Sequence, residues 1–120
     1  MKIEIKEYEG GYLKEGADVK LRYSLIPPEV LQELAKILTH GAAKYAPNNW
    51  KKCEDTSFYW DSLFRHLQSH RLGEVVDKDS GEKHLSHALC NLMFLVWFNE
   101  KDNNGSKEVQ VRAKATKRDN

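Results

Sequence analysis

His84, His87 and Asn91 are separated by three and four residues, so a helix over this stretch projects all three from one narrow face. Around that face stand Leu, Ala and Met, and burying imidazole or amide groups there without partners costs more than a hydrogen bond returns. Something polar must meet the stripe. Arg65, His66, Ser69 and His70, followed by Glu74 and Asp77, lie one segment upstream and offer it. Brought together across a helix–helix interface, the two sets make a cluster of imidazoles and carboxylates, the common ligands of a divalent metal. Glu74, Asp77, His84 and His87 are the expected metal ligands; Glu74, Asp77 and His66 are the expected catalytic groups. Any one histidine alone reads more simply as a hydrogen-bonded structural residue. His66, His84, His87 and Asn91 together read as a functional site, because a purely structural network of that size is a costly way to join two helices.

A second group is cationic and aromatic. Lys20, Arg22 and Tyr23 precede a helical pattern, and Lys44, Tyr45, Asn48, Asn49 and Trp50 follow it. Basic groups hold phosphate oxygens, asparagine reads a base edge and Tyr or Trp stacks on a ring, which suits a nucleotide. The expected substrate-binding residues are Lys20, Arg22, Lys44, Tyr45, Asn49, Trp50, Arg65 and Asn91. Taken singly, Tyr45 and Trp50 read equally well as closing the core under a loop, with Lys44 solvated. There is no GxxxxGK[ST] loop, no GxGxxG fingerprint and no GxSxG elbow, which excludes the common nucleotide and hydrolase signatures.

The elements that must position these residues are helices. Val30, Leu31, Leu34, Ala35, Ile37, Leu38 and Ala42 recur at helical spacing over Glu29 to Tyr45, after Pro27 and Pro28. The run YAPNNWKKCEDTS is a loop, and helical periodicity resumes from Phe58 to Leu72 with Gly73 as its stop. A third helix is expected from Ser80 to Asn99, with Asp79 and Glu82 as a capping box. It is apolar round so much of its circumference that it should be central. Residues 1 to 14, with Ile3, Ile5, Tyr12 and Gly10-Gly11, pattern as a short β-hairpin. The fold class is mainly all-α: three core helices with an N-terminal hairpin, forming a bundle completed by oligomerisation. Residues 1–100 are expected to form one helical nucleotide-binding domain. Residues 101–120 read as a polar basic tail, flexible or docked on a partner, with Val109, Val111 and Ala113 alternating as an edge strand would.

The 120 residues carry 19 Lys plus Arg against 18 Asp plus Glu, a net charge of +1. That gives no global attraction to nucleic acid or anionic membrane. The apolar stretch from Ala88 to Phe98 is interrupted by Asn91 and is shorter than the roughly 20 residues a bilayer span needs. With no secretory signal at the N-terminus, a cytoplasmic protein is expected. Cys53 and Cys90 form no CxxC pattern and read as a reduced loop thiol and a packed core thiol.

The runs KLRYSLIPPEVLQELAKILTHGAAKYAPNNW and RHLQSHRLGEVVDKDSGEKHLSHALCN resemble the phage-encoded dATP/dGTP diphosphohydrolase N-terminal domain family. The most specific pieces are Gly41-Ala42, Lys44-Tyr45, Asn49-Trp50, Arg65-His66-Leu67, Gly73-Glu74, Asp77, Ser80-Gly81, His84-Leu85 and His87-Ala88 with Asn91. The resemblance implies a relationship to MazG-like all-α enzymes, which release pyrophosphate from (d)NTPs using Mg²⁺ held by helix carboxylates. It therefore implies a metal-dependent pyrophosphohydrolase of purine (d)NTPs in a phage-infected host. The cofactor would be Mg²⁺ or Mn²⁺, or a transition metal if the histidines take over ligation. In that reading Lys20, Lys44 and Arg65 neutralise the triphosphate, Tyr45 or Trp50 stacks on the base, and a homodimer or homotetramer completes the packing. The sequence departs from the MazG pattern of ExxE on one helix and ExxD on the next. Arg65, His66 and Ser69 stand where the first would lie, His84 and His87 where the second would. Either the chemistry rests on a His-rich site, or the protein is a non-catalytic nucleotide-binding protein that sequesters a host nucleotide or nucleotide signal.

Overall fold

The computed structural model describes the backbone of residues 20–116 and the side chains of residues 20–102. Three α-helices carry it: α1, Pro28–Lys44; α2, Ser57–Arg71; and α3, His84–Thr116. Single turns of 3₁₀ helix occupy Tyr23–Leu25 and Asn49–Lys52. Among the described residues there is no strand, only one antiparallel bridge between Val76 and Lys83. The mainly helical expectation therefore holds. The hairpin expected over residues 1 to 14 lies outside the described residues.

Pro28 opens α1 where its missing N–H is no loss, with Glu29 in the first turn and Lys44 in the last complementing the helix dipole. The end of α2 is set by Gly73, at φ 103°. The Gly73 N–H bonds to the His70 carbonyl at 2.9 Å and the Glu74 N–H to the Ser69 carbonyl at 3.0 Å, a Schellman closure. This fold-back brings Glu74 beside the next helix.

Two helix limits differ from the sequence reading. The third helix starts at His84 rather than Ser80, and Asp79 does not cap it. Asp77 captures the intervening chain instead: its carboxylate accepts from the Asp79 N–H at 3.2 Å and the Ser80 hydroxyl at 3.1 Å. The turn is closed by Gly81 at φ 76° and by the bonds Asp77 N–H to Glu82 carbonyl, 2.8 Å, and His84 N–H to Val75 carbonyl, 2.9 Å. An aspartate offering its own local bonds outcompetes helix propagation. At the other end α3 runs past Asn99 to Thr116, so the backbone at Val109–Ala113 is helical, not an edge strand. The Lys, Glu, Gln, Arg and Ala residues there are good helix formers, and no proline interrupts them.

Helix α3 is central, packing on both α2 and α1. Leu63, Ala88 and Leu95 form the core, with Tyr59 and Leu67 packed against them. Beyond them Trp50, Tyr59, Phe94, Trp97 and Phe98 make an aromatic cluster, in which Trp50 and Phe94 have centroids 4.5 Å apart. Helix α1 contributes no buried residue. It is held to α3 by the Ser86 hydroxyl donating to Glu33 at 2.8 Å, and Lys36 pairs with the same carboxylate at 3.0 Å. These two contacts hold the Glu33 carboxyl below the usual range. The apolar side of α1 thus overhangs a cleft instead of closing a core. Among the described residues no helix is long and apolar enough to cross a membrane. Both cysteines are free, as expected: Cys90 is buried in α3, and Cys53 sits in the loop donating to the Asp55 carbonyl at 3.2 Å.

Candidate active site

Helices α2 and α3 run antiparallel, and their polar stripes meet in register. Ser62 lies opposite Asn91, with the Asn91 amide donating to the Ser62 oxygen at 2.9 Å. One turn along, the His66 and His87 rings stack with centroids 4.5 Å apart and planes 10° from parallel. One turn further, His66 Nδ1 and His84 Nδ1 are 2.8 Å apart, and His84 Nε2 reaches Glu74 at 2.7 Å. Two relays result. Glu74, His84 and His66 form one; Asp77, Ser80 and His87 form the other, joined where the imidazoles of His66 and His87 stack.

Hydrogen counting fixes the tautomers. The Glu74 carboxylate accepts, so His84 donates from Nε2 and, when neutral, accepts at Nδ1 from His66. In the second relay Ser80 has one hydrogen, which it gives to Asp77 at 3.1 Å, while its oxygen also accepts the Glu82 N–H at 3.1 Å. His87 Nε2, 2.7 Å from that oxygen and 3.6 Å from Asp77, must then be an N–H donor. Neutral His87 keeps its lone pair on Nδ1. Burial, reinforced by the charges of His87 and His84, pushes His66 down to about 4. Burial also lowers His87, opposed by Asp77. For Asp77, burial raises the pKa, but the Asp79 N–H, the Ser80 hydroxyl and the two histidines more than offset it and leave the carboxyl below its usual range.

His87 and Asn91 open onto a cleft of about 750 Å³ between α1 and the α2–α3 pair. Ile37, Leu38, Ala42, Met93 and Phe94 give it apolar walls, Cys90 and Ser62 line it, and the loop from Tyr45 to Trp50 forms its rim. In that loop Ala46 has φ 145° and Asn48 φ 62°. Asparagine tolerates the left-handed region, whereas alanine at positive φ stores strain of about 1–3 kcal/mol. The turn returns Trp50 to the aromatic cluster, where the Tyr59 hydroxyl donates to its carbonyl at 3.0 Å.

Of the residues expected to bind substrate, Tyr45, Asn49, Trp50 and Asn91 line this one cleft. Tyr45 is 64% exposed, with Lys44 Nζ 5.1 Å from its ring centroid. Trp50 is committed to Phe94 and Trp97, which leaves Tyr45 the freer ring. Lys20, Arg22, Lys44 and Arg65 are exposed and do not line the cleft. His70 stands outside both relays, its buried Nδ1 meeting no partner among the described residues.

A sequence profile describing the N-terminal part of dATP/dGTP diphosphohydrolases matches residues 11–108. The chain belongs to the dATP/dGTP diphosphohydrolase N-terminal family. Over 78 residues it is 32% identical to a dATP/dGTP diphosphohydrolase of Salmonella phage PMBT28, a stretch covering 65% of this chain and 27% of that protein. The chain thus spans about a quarter of that relative's length. No solved structure matches.

The family resemblance implies a divalent metal, with Glu74, Asp77, His84 and His87 as its expected ligands. In this arrangement Glu74 and His84 are bonded to each other, Asp77 is bonded to Ser80 and the Asp79 N–H, and His87 is bonded to Ser80. Among the described residues no group of three or more His, Cys, Asp or Glu side chains converges as a ligand set. The four residues therefore do not fit a single resident ion as they stand. Two residues of the site were missed in the sequence reading. Ser62 precedes His66 by one turn, as His87 precedes Asn91, and that mirrored spacing was a usable signal. Ser80 stood in the sequence only as part of the Ser80-Gly81 piece of the family resemblance; its contact with His87 comes from the Asp77 turn.

Proposed function

We propose that this chain is a nucleoside triphosphate pyrophosphohydrolase acting on purine deoxynucleotides, with the cleft holding the nucleoside and the His87 end facing the α-phosphorus. The observation that carries this reading is that His87 belongs both to the cleft wall and to the stacked histidine relays. Family membership and the name of the phage relative support the substrate class. A water oxygen bonds to the α-phosphorus, the bond to the bridging oxygen breaks, and pyrophosphate leaves with the electron pair. The water proton passes to His87 Nδ1, and the imidazolium so formed is held at Nε2 by Ser80 and Asp77. His66, kept neutral by burial, stacks on that ring without adding a second positive charge. Glu74 and His84 hold His66 in place.

Mg²⁺ reaches such sites largely on the substrate's phosphates, with few protein ligands. Incubating the protein and Mg²⁺ with dATP or dGTP and separating the products tests the reading. Deoxynucleoside monophosphate and pyrophosphate are expected, with kcat lowered about 10²–10⁴-fold by His87→Ala, the usual range for losing a general base. Nucleotide recovered intact from the protein would replace the enzyme with the sequestering binding protein. A turnover unchanged in His87→Ala would sink the mechanism.

A further inference from the structure

Asn91 is 8% exposed and lines the cleft, yet its amide is only half used. Nδ2 donates to the Ser62 oxygen at 2.9 Å and to the His87 carbonyl at 3.0 Å. A carbonyl only accepts, so the amide cannot be flipped and both its hydrogens are spent. Oδ1 is then the acceptor left over, receiving no bond from the described residues. Ser62 is its complement: its oxygen accepts from Asn91, while its own hydrogen goes to none of the described residues. A fixed acceptor and a free donor stand side by side in an otherwise apolar part of the wall, beside Cys90 and Phe94. Together they match a ligand hydroxyl, which donates and accepts at one atom.

Their place along α3 identifies that hydroxyl. Asn91 is one turn from His87, a side-chain separation of about 5–6 Å. A 3′-hydroxyl lies a few bonds from the 5′-phosphoryl group, whereas the base edge lies across the sugar ring, toward Tyr45 and Asn49 at the rim. We infer that Ser62 and Asn91 are the specificity pair for the nucleotide 3′-hydroxyl, which donates to Asn91 Oδ1 and accepts from Ser62 Oγ. This inference rests on the cleft being the nucleotide site.

The test compares binding and turnover of dATP and dGTP with their 2′,3′-dideoxy counterparts. Each lost bond to a buried polar partner left unpaired costs about tenfold to a hundredfold. The wild type should therefore prefer the 3′-hydroxyl substrates by about 100-fold. In Ser62→Ala and Asn91→Ala that preference should fall at least tenfold. Wild-type protein that binds the deoxy and dideoxy nucleotides equally would overturn the pair's role while leaving the nucleotide site standing. Protein that binds none of the four would overturn both. Ser62→Ala removes only a hydroxyl and keeps the test decisive if Asn91→Ala does not fold; variants that lose affinity equally for both substrate types would also refute the inference.

Discussion

The imidazoles at the α2–α3 contact are poised by their surroundings more than by their own chemistry. His66 is the extreme case, its pKa lowered to about 4 by burial and by His87 and His84. The unfolded chain binds a proton near the ordinary histidine value of about 6.5, while the folded chain resists protonation until about pH 4. Between those values the unfolded state holds more protons, so stability is full above the window and falls as pH drops through it. Asp77, lowered in the fold, adds a further loss at more acidic pH. The melting temperature should decline from about pH 6.5 toward pH 4, and His66→Phe should flatten that decline. A wild-type melting temperature constant across the window would show that His66 is not kept neutral. His66 was visible in the sequence as one of a helical pair. Its stacking on His87, and the exclusion of His70 from the relay, were not, because they depend on the rotation of α2 about its axis.

At the scale of elements, turns place the carboxylates. Gly73 at φ 103° closes α2 and delivers Glu74 to His84. A Cβ there would meet nothing within 4 Å, so Gly73→Ala should cost only the backbone penalty, about 1–2 kcal/mol in urea unfolding. A larger loss would mean that Glu74 contributes stability through His84 as well. Helix existence was legible in the sequence from apolar spacing and from the Pro27-Pro28 and Gly73 boundaries. The start of α3 was not, because Asp77 and Ser80 satisfy each other locally and delay the helix. Its continuation past Asn99 was hidden by low hydrophobicity, although the propensities there favour helix.

At the scale of the whole molecule, the described residues leave apolar side chains exposed on every helix: Val30 and Leu31 on α1, Phe58, Trp60 and Phe64 on α2, and Leu85, Leu92 and Val96 on α3. The last three recur at spacings of seven and four, the stripe by which one helix packs on another. We propose that a second copy of the chain covers this surface, giving the homodimer or homotetramer expected from the sequence. Light scattering should report a multiple of the 13.9 kDa chain mass, and Leu92→Asp should shift it to the monomer. A wild-type monomer at micromolar concentration would refute the assembly.

By itself the sequence determined the helices, the central place of the third, the reduced state of the cysteines and the two polar stripes, since each follows from local spacing and composition. Of the eight residues it grouped for substrate binding, Tyr45, Asn49, Trp50 and Asn91 line one cleft, whereas Lys20, Arg22, Lys44 and Arg65 do not. Only the tertiary structure decided which histidines touch, that Ser62 and Ser80 join them, and that the expected metal ligands pair off into two relays. Those outcomes depend on the register between two antiparallel helices and on a turn built by one aspartate. Periodicity along one chain fixes which face a residue shares, but not which residue faces it.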